Sequence, residues 1–192
     1  MAKKYEFQPD KPYSTWLNKL QLTRQQQKQC LKWALYALVL IVMSVVQDVV
    51  MCRMRFYGGT TDLVPCGIFI ICVLEGSQRG CIFALVASFL YLLSGSAPGP
   101  HVLVLVTVLS VIVAALRQTY LHQGFPATLI CTAIAMGMYE LTVFGFCLLL
   151  GYTATDSYVS FLIPAVLSLV AVPIVYPIAQ AISAIGGEAW KE

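Results

Sequence analysis

Asp48, Glu75 and Glu140 each stand in or at the edge of a long apolar run, in a chain that is 59% hydrophobic and only 11% charged. A carboxylate is expensive in hydrocarbon, so such groups face a protein interior, a partner or a water-filled site. Glu140 carries this argument furthest. It falls near the middle of an apolar stretch that holds no basic residue, where a lone carboxylate is costly unless paired or protonated. Hydroxyls of Thr132, Tyr139 and Thr142 are within its own helix, and Arg117 reaches it only if the fold turns the end of the preceding helix inward. Polar glue between helices and a substrate or proton site both stay open.

Asp48 comes about one and a half helical turns before Arg53 and Arg55. That spacing suits either an ion pair at the outer interface or a polar patch for an extracytoplasmic partner. Glu75 and Arg79 are four residues apart, the separation at which acid and base pair along a helix. With Gly76-Ser77-Gln78 forming a tight turn between them, the pair would staple the cytoplasmic end of a hairpin. Gly76 and Gly80 also satisfy GxxxG, but a motif lying in a turn says little about helix dimerisation.

Other chemistries lack their residues. The seven cysteines are odd in number and scattered through apolar segments without a CxxC pair, which reads as small buried hydrophobes. His101 and His122 stand at opposite ends of one expected helix, so neither a zinc site nor a cofactor site is expected. There is no GxSxG, HExxH, Walker loop or dinucleotide fingerprint, and Ser110 and Ser168 have no base beside them in the sequence pattern. Enzymatic activity is not expected. A net charge of +3 without a basic recognition motif argues against nucleic-acid binding.

The elements that must position the three acids are membrane helices. Mean hydropathy is +0.78, and the apolar residues come in blocks rather than at amphipathic spacing. Runs 31–51, 127–150 and 158–185 reach the ~20 residues that cross a bilayer. Runs 63–74, 81–93 and 102–116 are shorter, and a re-entrant hairpin over 61–95 is an alternative to two full crossings. Turn-forming clusters separate these blocks. The expected fold is therefore all-α, an integral membrane protein of six transmembrane helices, with Pro164, Pro173 and Pro177 able to kink the last.

Lys and Arg placement sets the orientation. With the amino terminus inside, ten of the 12 basic residues are cytoplasmic, and only Arg53 and Arg55 are outside. Both termini are then cytoplasmic, whether 61–95 crosses twice or re-enters. No cleavable signal peptide is expected, since the first thirty residues are polar. The chain divides into a polar cytoplasmic segment (1–29), a membrane domain (30–186) and a short cytoplasmic tail (187–192). Within the first, Trp16, Leu17 and Leu20 share a face beside Lys19, Arg24 and Lys28, the pattern of a basic interfacial helix that either docks a partner or helps fix topology.

Several segments taken in order resemble the MreD family of rod-shape-determining membrane proteins. They are Val46-Gln47-Asp48-Val49-Val50, Asp62-Leu63-Val64-Pro65, Ser88-Phe89-Leu90-Tyr91, Tyr139-Glu140-Leu141-Thr142-Val143-Phe144-Gly145 and Phe161-Leu162-Ile163-Pro164. The resemblance implies a six-helix fold like that of the substrate-binding subunits of energy-coupling-factor vitamin transporters. It also implies a non-enzymatic scaffold of the cell-elongation machinery in the bacterial inner membrane, binding an MreC-like partner alongside MreB filaments, RodA and transpeptidase synthases. The family commonly closes a Gly-rich third helix with an acid, whereas Leu92 stands near that place here, so any role of that carboxylate does not carry over. The competing expectation is a small-molecule carrier or vitamin-binding subunit with Glu140 in its pocket.

Overall fold

The computed structural model describes residues 24–50, 61–120, 124–153 and 158–185. Arg53, Arg55, the carboxy-terminal tail and the interfacial helix before residue 24 lie outside the described residues. Among the described residues every regular element is an α-helix: α1 Arg24–Val49, α2 Leu63–Glu75, α3 Ser77–Leu93, α4 His101–Tyr120, α5 Phe125–Leu149, α6 Tyr158–Leu169 and α7 Val172–Ile185.

Three helices, α1, α4 and α5, are long and apolar enough to cross a membrane. The pair α6 and α7 makes a fourth if its bent halves count as one span. The run expected to form a single last helix is thus two helices meeting at 51°. The break follows from local chemistry: Pro173 sits in the first turn of α7, where its missing N–H costs little, and the Ser168 and Leu167 carbonyls close the end of α6 on Ala171 and Val170. α1 also begins earlier than the apolar run, so residues 24–30 are its first turns.

The centre of the fold is α2. Its 13 residues are all buried, as a helix apolar on every side must be. At 1.5 Å per residue it is about 20 Å long, short of a ~30 Å hydrocarbon core. It packs against α1, α3, α4, α5, α6 and α7. Its direction is fixed by its ends: the amino end lies beside Gln47 near the end of α1, and the carboxyl end beside Lys32 near its beginning. α2 therefore runs against α1, and α3, reversed again through Gly76, runs parallel to α1. The outward faces are apolar too, with Leu38, Ile41 and Val45 on α1 and Ile82, Leu85 and Phe89 on α3 exposed, as a lipid-facing surface requires.

Two glycines mark close approaches of different kinds. A Cβ on Gly80 would lie 3.1 Å from both Cα and O of Cys72, which are backbone atoms of α2. One on Gly67 would meet the Met43 thioether at 2.7 Å, the flexible end of a side chain that can swing away. Gly80→Ala is accordingly expected to cost about 1–3 kcal/mol through overpacking. Gly67→Ala is expected to cost clearly less, and comparison of the two midpoints in detergent thermal melts checks the ranking.

Candidate functional site

The polar side chains gather at the two ends of α2. A helix end leaves unsatisfied backbone groups, which within a membrane protein must find partners in the protein itself, so side chains from neighbouring helices are drawn there.

At the carboxyl end Glu75 is 4% exposed and Lys32 3%, so this charge pair is wholly internal. The Lys32 Nζ lies 2.6 Å from Oε1 and donates to Oε2 at 2.7 Å, while the Tyr36 hydroxyl donates to Oε1 at 2.7 Å. Lys32 and Tyr36 are one helical turn apart and so share a face of α1. The Tyr36 hydroxyl also lies 3.4 Å from the Ala179 carbonyl of α7, so one carboxylate ties three helices. Trp33, Tyr36 and Phe83 pack ring to ring around it, with centroids 5.5–5.9 Å apart. Arg117, buried near the end of α4, donates to the Val73 carbonyl, satisfying one of the orphan acceptors in the last turn of α2.

Beside this cluster a groove of about 490 Å³ opens between α1 and α3, lined among others by Gln29, Lys32, Trp33, Glu75, Arg79 and Phe83. Arg79 is exposed on its rim. The expected Glu75–Arg79 staple is therefore corrected: Glu75 pairs with Lys32, because the turn at Gly76 aims the end of α2 at α1 while Arg79 leaves on the outer side of α3. Lys32–Glu75 is the one ion pair among the described residues.

At the amino end the Val64 N–H donates to Gln47 Oε1 at 3.0 Å, and the Gln47 amide reaches the Tyr91 hydroxyl at 3.4 Å. The Asp62 N–H donates to Ser168 Oγ at 3.0 Å, and the Cys66 thiol points at the Ser168 carbonyl, which also accepts from the Ala171 N–H. The Asp62 side chain faces the Tyr139 hydroxyl without reaching hydrogen-bond geometry, and its charge is felt by Glu140. Glu140 is buried, and its Oε1 has no hydrogen-bond partner. Thr132 Oγ1 and the Tyr139 hydroxyl are likewise unpartnered and Thr142 Oγ1 donates to the Met138 carbonyl, so none of the three hydroxyls expected to serve Glu140 does.

Asp48 is exposed and accepts a hydrogen bond from Ser96 Oγ at 2.6 Å. Its expected partners Arg53 and Arg55 lie outside the described residues. The structure thus joins Asp48 to the loop after α3, Glu75 to Lys32, and Glu140 to the neighbourhood of Asp62, and it does not bring the three acids into one site. Four participants were not singled out from sequence: Tyr36, Asp62, Gln47 and Arg117 as a cap. The signal for Tyr36 was its position one turn after Lys32. No family model matches the chain, nor does any curated protein sequence or solved structure.

No group of three or more His, Cys, Asp or Glu side chains able to hold a metal occurs among the described residues. What the two clusters do physically is hold helices. Lys32, Tyr36, Glu75, Gln47, Tyr91 and Arg117 each find a partner on another helix, and that crosslinks the bundle.

Proposed function

We propose that this protein is an MreD-like scaffold of the bacterial cell-elongation complex, non-enzymatic, with six helices arranged as in energy-coupling-factor substrate-binding subunits. In this reading α2 and α3 count as two short crossings, both termini are cytoplasmic, and the protein holds the single span of an MreC-like partner in the inner membrane. The observation that carries it is a convergence. Gln47, Val64, Tyr91 and Tyr139 come from four of the separate segments on which the family resemblance rests. They meet at the amino end of α2 through the Gln47 hydrogen bonds and the facing of Asp62 and Tyr139.

The carrier reading finds a candidate pocket in the α1–α3 groove. A carrier site buries most of its ligand, whereas Ile82 and Val86 on the groove wall are 71% and 51% exposed, leaving it open along the bundle's side. That shape does not enclose a ligand. The partner span is instead held by packing on the exposed apolar faces of α6 and α7, with Leu162, Val166, Ile174 and Ile178, since lipid and Leu are equally apolar.

The test is site-specific photo-crosslinking in the native membrane from exposed positions of α6 and α7, such as Leu162, Val166, Ile174 and Ile178. A single-span partner captured from this face, with little capture from Val104 and Val108 of α4, is the expected outcome. Purification with a stoichiometric small molecule and no protein partner would replace the scaffold by the carrier.

A further inference from the structure

The α1–α3 groove has a charge imbalance and a polarity gradient that the scaffold role leaves unused. Lys32 on its wall is neutralised by Glu75. Arg79 is exposed at the rim and makes no ion pair among the described residues, so the lining carries one uncompensated positive charge. α1 and α3 run parallel, and both change character in the same direction along the groove. On α1 the lining passes from Gln29 to Ala37, about 12 Å of helix. On α3 it passes from Arg79 through Ile82 to Val86, about 10 Å. Polar and cationic groups thus stand at one mouth, and apolar groups line the other end, where Ile82 and Val86 open to the hydrocarbon.

We propose that this groove binds one anionic phospholipid, with the Arg79 guanidinium on the phosphate and the first acyl methylenes lying along Ala37, Ile82 and Val86. Arginine suits the head because its planar fork meets two phosphate oxygens at once, and Gln29 adds an amide donor at the same level. Lys28, one residue before Gln29 and also exposed, raises the local attraction for anionic lipid. Trp33 and Phe83, packed at 5.5 Å, give the groove a rigid aromatic wall. A free phosphate would gain nothing from the apolar half of the groove, which is why the lipid is the occupant.

Native mass spectrometry of the full chain in mild detergent, titrated with phosphatidylglycerol and with phosphatidylcholine of the same chain length, tests this. One phosphatidylglycerol should be retained about tenfold more strongly than phosphatidylcholine, because Arg79 can meet either phosphate but is repelled by the choline cation that makes the second lipid net neutral. Arg79→Gln should remove that preference, and Val86→Trp, which fills the apolar half, should weaken retention of both lipids. Arg79 is exposed, so its variant should keep the parent melting temperature, which separates lost binding from lost fold. Equal retention of the two lipids, or an Arg79→Gln variant with preference intact, would overturn the proposal. So would displacement of the lipid by inorganic phosphate, which would mark a soluble-anion site, or crosslinking of another polypeptide within the groove.

Discussion

Lys32→Met alone and Glu75→Leu alone should each destabilise the protein by about 3–5 kcal/mol, because each leaves its partner's charge buried and uncompensated. The double substitution should cost far less than the sum. Replacing a buried ion pair by apolar side chains of similar volume is often close to neutral, and the low dielectric around Glu75 makes the unpaired states the expensive ones. A residue of the cost should remain in the double variant, since the Tyr36 hydroxyl loses its 2.7 Å acceptor and keeps only the 3.4 Å contact with the Ala179 carbonyl. That remainder is about 1–3 kcal/mol for an under-satisfied buried hydroxyl, and adding Tyr36→Phe should recover most of it. Thermal melts of the four combinations in one detergent give the cycle. Additive losses would mean that the two charges do not depend on one another.

The same residues show what the sequence could disclose. Apolar blocks and turn clusters are enough to place α1 and α5, to find α4 as a shorter run, and to leave 61–95 open between two short crossings and a re-entrant hairpin, because length and composition are local properties. Glu75 was visible as a buried acid, but its partner was misassigned to Arg79, since helical spacing is the only pairing rule that a sequence displays directly. Lys32 lies 43 residues away, and only the reversal at Gly76 brings it near. Lys32 read naturally as a topology-setting charge at the end of a span, and that reading remains compatible with its place at the start of α1. Glu140 was expected to be buried and is. What composition could not reveal is that Asp62, which sits at a block edge and looks like an ordinary helix-entry residue, would share its electrostatic neighbourhood. The break of the last run at Val170-Ala171 was signalled by its prolines, but a kink and a 51° bend between two helices differ in tertiary packing, which prolines alone do not fix.

Gly76→Ala should cost about 1–3 kcal/mol, the strain of placing a side chain in a backbone region that essentially only glycine adopts. Gly76 is the single residue between α2 and α3, with φ 83° and ψ 174°, and it is buried. Its N–H donates to the Cys72 carbonyl at 3.0 Å and its carbonyl accepts from Gly80 at 2.9 Å, so hydrogen bonds on both sides hold the turn against relaxation. Gly95 also has positive φ, at 78°, but nothing lies within 4 Å of its would-be Cβ. Gly95→Ala can relax into open space and should cost less. The consequence for the site is sharper than the stability loss. Gly76 aims Glu75, its immediate neighbour, at Lys32, so a turn forced to another conformation should loosen that ion pair. Repeating the Lys32/Glu75 cycle in the Gly76→Ala background should therefore give a smaller coupling energy. An unchanged coupling, with the melting temperature also unchanged, would mean that packing of α2 alone sets the direction of Glu75 and that the turn merely follows it.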